Sequence, residues 1–145
     1  MGGVFDPMNM PAAANGEVFA RAEMPAANLF ASARGLARVY AATVGEIDGI
    51  RLLTAETVRD ACRVQSQGMS LLGTDDGLRW GTGFMLDSAR RGMAGPGSFG
   101  HDGFGGHLAF ADPETQTAFA YHTHRPGGGV DDRAEALCRA LRACL

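Results

Sequence analysis

The side chains best equipped for chemistry lie in one stretch, Phe99 to His124, which reads FGHDGFGGHLAFADPETQTAFAYHTH. His122 and His124 stand one residue apart, so on a strand their imidazoles share a face at a spacing of about 7 Å. His107 on the facing strand comes out as a diagonal neighbour of His122. Three imidazoles with an open fourth position suit zinc, although no carboxylate is placed to orient the rings, and alanines between histidines equally suit a packed or solvated face. Ser98, His101 and Asp102 have the residue types of a nucleophilic relay, but they sit too close along one strand to form one without severe bending. Ser98 is in Pro-Gly-Ser-Phe-Gly, one residue short of a G-x-S-x-G elbow, and reads as an ordinary strand residue. All 13 basic residues are arginine. With no lysine in the chain, no serine here can be activated by one.

The elements that must position these residues follow from periodicity and caps. Residues 1–28 carry Pro7, Pro11, Gly16 and Pro25 and predict an irregular lead segment, followed by one domain portion over 29–145. Ser32 is a good N-cap for a helix running to about Val44, before Gly45, with Leu36, Tyr40 and Thr43 on one face. Thr54 caps a second helix, with Val58, Ala61 and Cys62 facing inward. Leu78 to Leu86, with Trp80, Phe84 and Met85 among glycines, predicts one strand broken by close backbone contacts. Asp112-Pro113-Glu114-Thr115 is turn chemistry between alternating runs, Gly106 to Ala111 and Gln116 to His124. That turn sets Ala111 opposite Gln116. It gathers Leu108, Phe110, Phe119 and Tyr121 on one face, leaving His107, Ala109, Ala118, Ala120, His122 and His124 on the other. A last helix begins near Asp132, which has capping-box spacing to Glu135. Its apolar stripe, Ala134, Leu137, Cys138, Leu141 and Leu145, is the natural cover for the aromatic face. The fold class is therefore α+β, an antiparallel sheet with the C-terminal helix packed on it.

The bulk properties exclude several classes of function. At 145 residues the chain has the length of one ordinary domain. A net charge of −3 gives no electrostatic case for nucleic acid or an anionic membrane. No stretch approaches the ~20 apolar residues of a membrane span, and no signal peptide is visible, which points to the cytoplasm. Cys62, Cys138 and Cys144 lack any C-x-x-C spacing. The first two fall on apolar helix faces, where thiols behave as small hydrophobes.

From Ala22 to about Gly128 the chain resembles the serine beta-lactamase, penicillin-binding protein and class C-like esterase superfamily. The segments that carry the resemblance are AEMPAANLFASARGLARVYAA, DGIRLLTAETV, LRWGTGFML and FGHDGFGGHLAFADP, in that order. The resemblance covers only the carboxy-terminal part of that fold. It implies hydrolysis of a small-molecule ester or lactam through an acyl-serine, with no cofactor. His101, Asp102 and Gly103 would take the third-motif positions, with His101 on the pocket floor and Gly103 allowing close approach of substrate. The Phe104 backbone N–H would be one of two oxyanion donors, the other being the serine's own; one such donor contributes ~3 kcal/mol to the transition state. Asp102 stands where relatives carry a small or hydroxyl residue and would repel an anionic substrate. His124 stands where related hairpins often carry Asn. The superfamily's Ser-x-x-Lys pair and its second-motif Tyr or Ser are missing, since the only tyrosines are Tyr40 and Tyr121. The expectation is thus an incomplete domain, inactive alone. The alternatives are a non-catalytic remnant or partner-binding module, able to self-associate through an open sheet edge, or the zinc-binding hairpin.

Overall fold

A computed structural model describes residues 14–25, 28–69, 73, 75–127 and 131–145. These fall in two units, Met1–Ala31 and Ser32–Leu145. In the first, Glu17–Arg21 forms a short helix, α1, within the lead expected to be irregular. Gly16 is its N-cap and Pro25 lies beyond its end, so these breakers bound the helix instead of preventing it. Asn28 closes the segment, accepting from the Met24 N–H at 3.1 Å and donating to the Phe19 carbonyl at 3.0 Å. Residues 1–13, 26 and 27 of the predicted lead lie outside the described residues.

In the second unit both predicted N-caps form. The Ser32 hydroxyl accepts from Gly35 N–H at 3.1 Å to start α2 (Ala33–Val44), and Thr54 accepts from Thr57 N–H at 3.1 Å to start α3 (Ala55–Ala61). Six strands follow: β1 (Ser66–Met69), β2 (Asp75–Trp80), β3 (Met85–Leu86), β4 (Phe99–Gly103), β5 (His107–Asp112) and β6 (Thr117–Tyr121). They pair antiparallel in chain order as one meandering sheet. Helix α4 (Arg133–Arg142) ends the chain. Among the described residues no helix is long and apolar enough to cross a membrane.

The single strand predicted over Leu78 to Leu86 is two, β2 and β3. The break falls at Gly81, where a Cβ would sit 2.0 Å from the Ala61 carbonyl oxygen. Gly81 N–H then takes the Phe84 carbonyl at 2.9 Å to close the turn. β1, which pairs with β2, has no counterpart in the sequence reading.

Helices cover both faces of the sheet. On one, Ala134 and Cys138 of α4 are buried against Met85, Met93, Leu108 and Phe110, with Phe119, Tyr121 and Leu141 alongside. This is the cover expected for the aromatic face, but Leu137 and Leu145 are 45% and 57% exposed and leave the stripe. On the other face Val44 of α2 and Val58 of α3 pack with Leu86, Phe99 and Ala111. The Asp132 side chain makes no capping hydrogen bond, so the expected capping box does not form. Instead Asp131 accepts from the Arg133 N–H at 3.1 Å, and Glu135 reaches forward to Arg139 at 3.0 Å.

The hairpin register differs from the expected one by two residues. Ala111 faces Ala118, not Gln116, and Phe110 faces Phe119. Asp112 stays in β5 because its side chain is the anchor of the turn. One carboxylate oxygen accepts from Glu114 N–H at 3.0 Å, Thr115 N–H at 2.8 Å and the Thr115 hydroxyl at 3.0 Å; the other accepts from the Ser98 hydroxyl at 2.6 Å. The loop becomes Pro113–Gln116, with Gln116 in the left-handed region at φ 53°. A shift of two conserves the side-chain alternation, so the aromatic face survives. Burial alone would raise the Asp112 pKa, but the bonds from Ser98, Thr115 and Glu114 outweigh it and hold the carboxyl below its ordinary 3.8. For Asp112→Ala the expected outcome in urea unfolding at pH 7 is a loss of about 3 kcal/mol. A depressed carboxyl stabilises only where it is ionised, so this difference shrinks as the pH falls below 3.8.

Candidate active site

β4 pairs with β5 along its whole length, from Phe99–Ala111 to Gly103–His107. With β3 it pairs only through Phe99 and Gly100. The His101–Gly103 half therefore extends past β3, and among the described residues no strand pairs with it on that side. Alternation along β4 turns His101 and Gly103 to one face and Asp102 to the other. His101 is exposed, its ring 5.5 Å from that of Trp80 and tilted by 55°. Its Nδ1 meets the Asp102 carbonyl. A carbonyl only accepts, so Nδ1 carries a proton and Nε2 is the nitrogen left for a reacting group.

Phe104, Gly105 and Gly106 turn the chain into β5. Gly106 N–H donates to the Gly103 carbonyl at 3.2 Å. In the trans peptide joining Gly103 to Phe104, the carbonyl and the amide point in opposite directions. Holding the carbonyl into the turn aims the Phe104 N–H out of it. The Phe104 ring is 77% exposed and leaves that amide uncovered by its own side chain.

Asp102 does not share a face with His101. Its carboxylate takes the Arg91 guanidinium at 2.9 Å from Nε and 2.8 Å from Nη2. The charge that was expected to repel an anionic substrate is thus neutralised on the other face of the strand. There it helps line an open pocket of about 510 Å³ with Arg90, Arg91, Asp131 and Glu135. His124 is exposed beyond the end of β6.

The register places His107 directly opposite His122, with Nδ1 to Nδ1 at 3.2 Å, where a diagonal relation was expected. Thr123 N–H also points at His107 Nδ1, at 3.4 Å. His107 Nδ1 is therefore the acceptor, and His122 Nδ1 carries the shared proton. That leaves His122 Nε2 bare and buried, without a hydrogen-bond partner among the described residues. Among those residues no three His, Cys, Asp or Glu side chains are grouped to hold a metal ion. His124 does not complete the set proposed for zinc.

Ser98 is 1% exposed and fully engaged, donating to Asp112 and accepting from Gly95 N–H at 2.9 Å, so it is no nucleophile. Burial, with Asp112 nearby, pushes the Cys62 thiol up to about 11, and burial raises Cys138 as well. Both are poor nucleophiles.

Burial lowers the His107 pKa from 6.5, as do the His122 and Arg133 charges; Asp131 opposes them weakly. A native pKa below the unfolded one means that the unfolded chain takes the proton first. The stability linked to His107 is complete above pH 6.5 and falls as the pH falls below it. Thermal unfolding midpoints followed downward from pH 7 are expected to drop less for His107→Gln than for the wild-type chain. Parallel curves would show that the His107 pKa does not change on folding.

A family model for Beta-lactamase matches residues 3–143. The esterase/beta-lactamase LipL of Mycobacterium tuberculosis is 45% identical over 103 residues, 68% of this chain and 23% of LipL. Among solved structures, a penicillin-binding protein homologue from Caulobacter crescentus superposes with a TM-score of 0.79 at 33% identity, over 90% of this chain and 37% of that one. EstA from Arthrobacter nitroguajacolicus superposes at 0.69 with 36% identity, over 78% and 32%. A family VIII carboxylesterase gives 0.78 and 31%, over 90% and 36%. The chain spans less than two-fifths of the length of each.

Proposed function

The chain belongs to the beta-lactamase family, and on that ground we propose that it forms one wall and half the oxyanion hole of a serine hydrolase acting on esters or β-lactam amides. The observation that carries this reading is the free half of β4. It offers His101 and Gly103 on one face and ends in an amide, Phe104 N–H, aimed outward. A carbonyl laid along this edge meets that amide where negative charge develops on its oxygen. Gly103 leaves room for its approach, and His101 Nε2 is free to exchange a proton with the leaving group. Relatives named as an esterase/beta-lactamase, a carboxylesterase and a penicillin-binding protein homologue support acyl transfer as the reaction class.

The nucleophile and its base come from polypeptide outside these 145 residues, because the sequence contains no lysine for a Ser-x-x-Lys pair. One oxyanion donor without a nucleophile stabilises a transition state that cannot be reached. The purified chain is therefore expected to give no turnover of a chromogenic short-chain ester or cephalosporin above background. Turnover that disappears on His101→Ala would overturn this assignment of roles.

A second use of the same sheet is favoured by β6, which among the described residues is the last strand in the sheet order. Its outer edge is a template for a further strand, and we propose that an isolated chain self-associates there. Sedimentation velocity should show a concentration-dependent dimer that Ala120→Pro weakens, since proline removes a backbone donor. A single monomeric species throughout rules this out.

A further inference from the structure

The outward aim of the Phe104 amide depends on a turn that is held from outside itself. Gly105 and Gly106 have φ of +85° and +96°, and neither has room for a side chain. A Cβ at Gly105 would fall 2.6 Å from Pro126 Cβ, and one at Gly106 would fall 2.3 Å from Asp131 Oδ2. Gly127 N–H donates to the Gly105 carbonyl at 3.2 Å. Pro126, Gly127 and Asp131 are thus laid directly against the turn.

One side chain ties these pieces together. Arg133 Nε donates to both Asp131 oxygens, at 2.9 and 3.1 Å, and Nη1 donates to the Thr123 hydroxyl at 3.1 Å. Nη2 donates to the Arg125 carbonyl at 3.0 Å, reaches the Gly105 carbonyl at 3.5 Å and pairs with Asp131. The Asp131 side chain is only 9% exposed, so its position beneath Gly106 is fixed by this fork. Only a planar guanidinium can serve three segments at once.

We propose that Arg133 is a positioning residue for the oxyanion donor. Through Asp131 and Gly105 it fixes the β4–β5 turn, and through the Gly106 bond to Gly103 it aims the Phe104 N–H without touching substrate. The role of that amide rests on the reading of the site above, but the test does not, because it follows the amide itself and needs no turnover. In the 145-residue chain labelled with ¹⁵N, Arg133→Met should shift the Phe104 and Gly105 amide resonances. It should also speed their hydrogen exchange at least about tenfold, while the Leu108 and Phe110 amides of the core keep their rates. Arg133→Lys should do the same, because an ammonium cannot form the fork. Arg139→Met, which removes a surface pair from the same helix, should leave these amides unchanged. If Arg133→Met does not fold, Asp131→Asn gives the same readout with the side-chain volume kept. Unmoved Phe104 and Gly105 amides would overturn the proposal. So would exchange that quickens equally throughout the sheet, since that pattern marks general stability and not positioning.

Discussion

β5 is buried on both faces from Leu108 to Asp112, and this two-sided burial is the constraint from which the site follows. Such a strand has no solvent face, so helices must cover it from both sides and its neighbours must hold one register. β4 meets it so closely at Gly100 that a Cβ there would fall 2.1 Å from the Ala109 carbonyl oxygen. With β4 fixed in that way, alternation alone decides that His101 and Gly103 share a face and that Asp102 turns away. The short β3 leaves the far half of β4 uncovered. A rigid scaffold thus presents a free strand edge ending in a glycine-rich turn, which preorganises backbone dipoles at little reorganisation cost.

Charge is distributed to suit this division. Asp102 is paired with Arg91, Asp131 with Arg133 and Asp112 with neutral donors, so the carboxylates around the turn serve structure. Burial, with the His122 and Arg133 charges, holds the His107 pKa below its ordinary 6.5. His101 keeps its imidazole exposed beside the free edge.

The parts of the fold that were legible in the sequence are those governed by local rules. Ser32 and Thr54 cap because a hydroxyl three residues before a helical N–H finds it with little help. The aromatic face of the hairpin and its cover by Ala134 and Cys138 follow from periodicities of 2.0 and 3.6. Long-range contacts were not legible. Nothing local places the Ala61 carbonyl against Gly81, or joins Ser98 to Asp112 and so moves the turn by one residue. Arg91 reaches Asp102 eleven residues on, and Arg133 reaches a turn 28 residues back. The third-motif positions of His101, Asp102 and Gly103 are what the resemblance implies, whereas Trp80 and Arg133, which lie against that strand and its turn, carry no motif. Paired glycines before His107 were the one available signal, since two in succession imply a backbone pressed against something.

The proposed role as one wall of a serine hydrolase requires a serine and a lysine outside these 145 residues. The most direct measurement is to sequence the DNA upstream of the Met1 codon and translate it in frame. The expected result is an open frame encoding Ser-x-x-Lys, followed by Tyr-x-Asn or Tyr-x-Ser. A stop codon with no such motifs before it would contradict the account and leave the free edge of β4 without a reaction to serve.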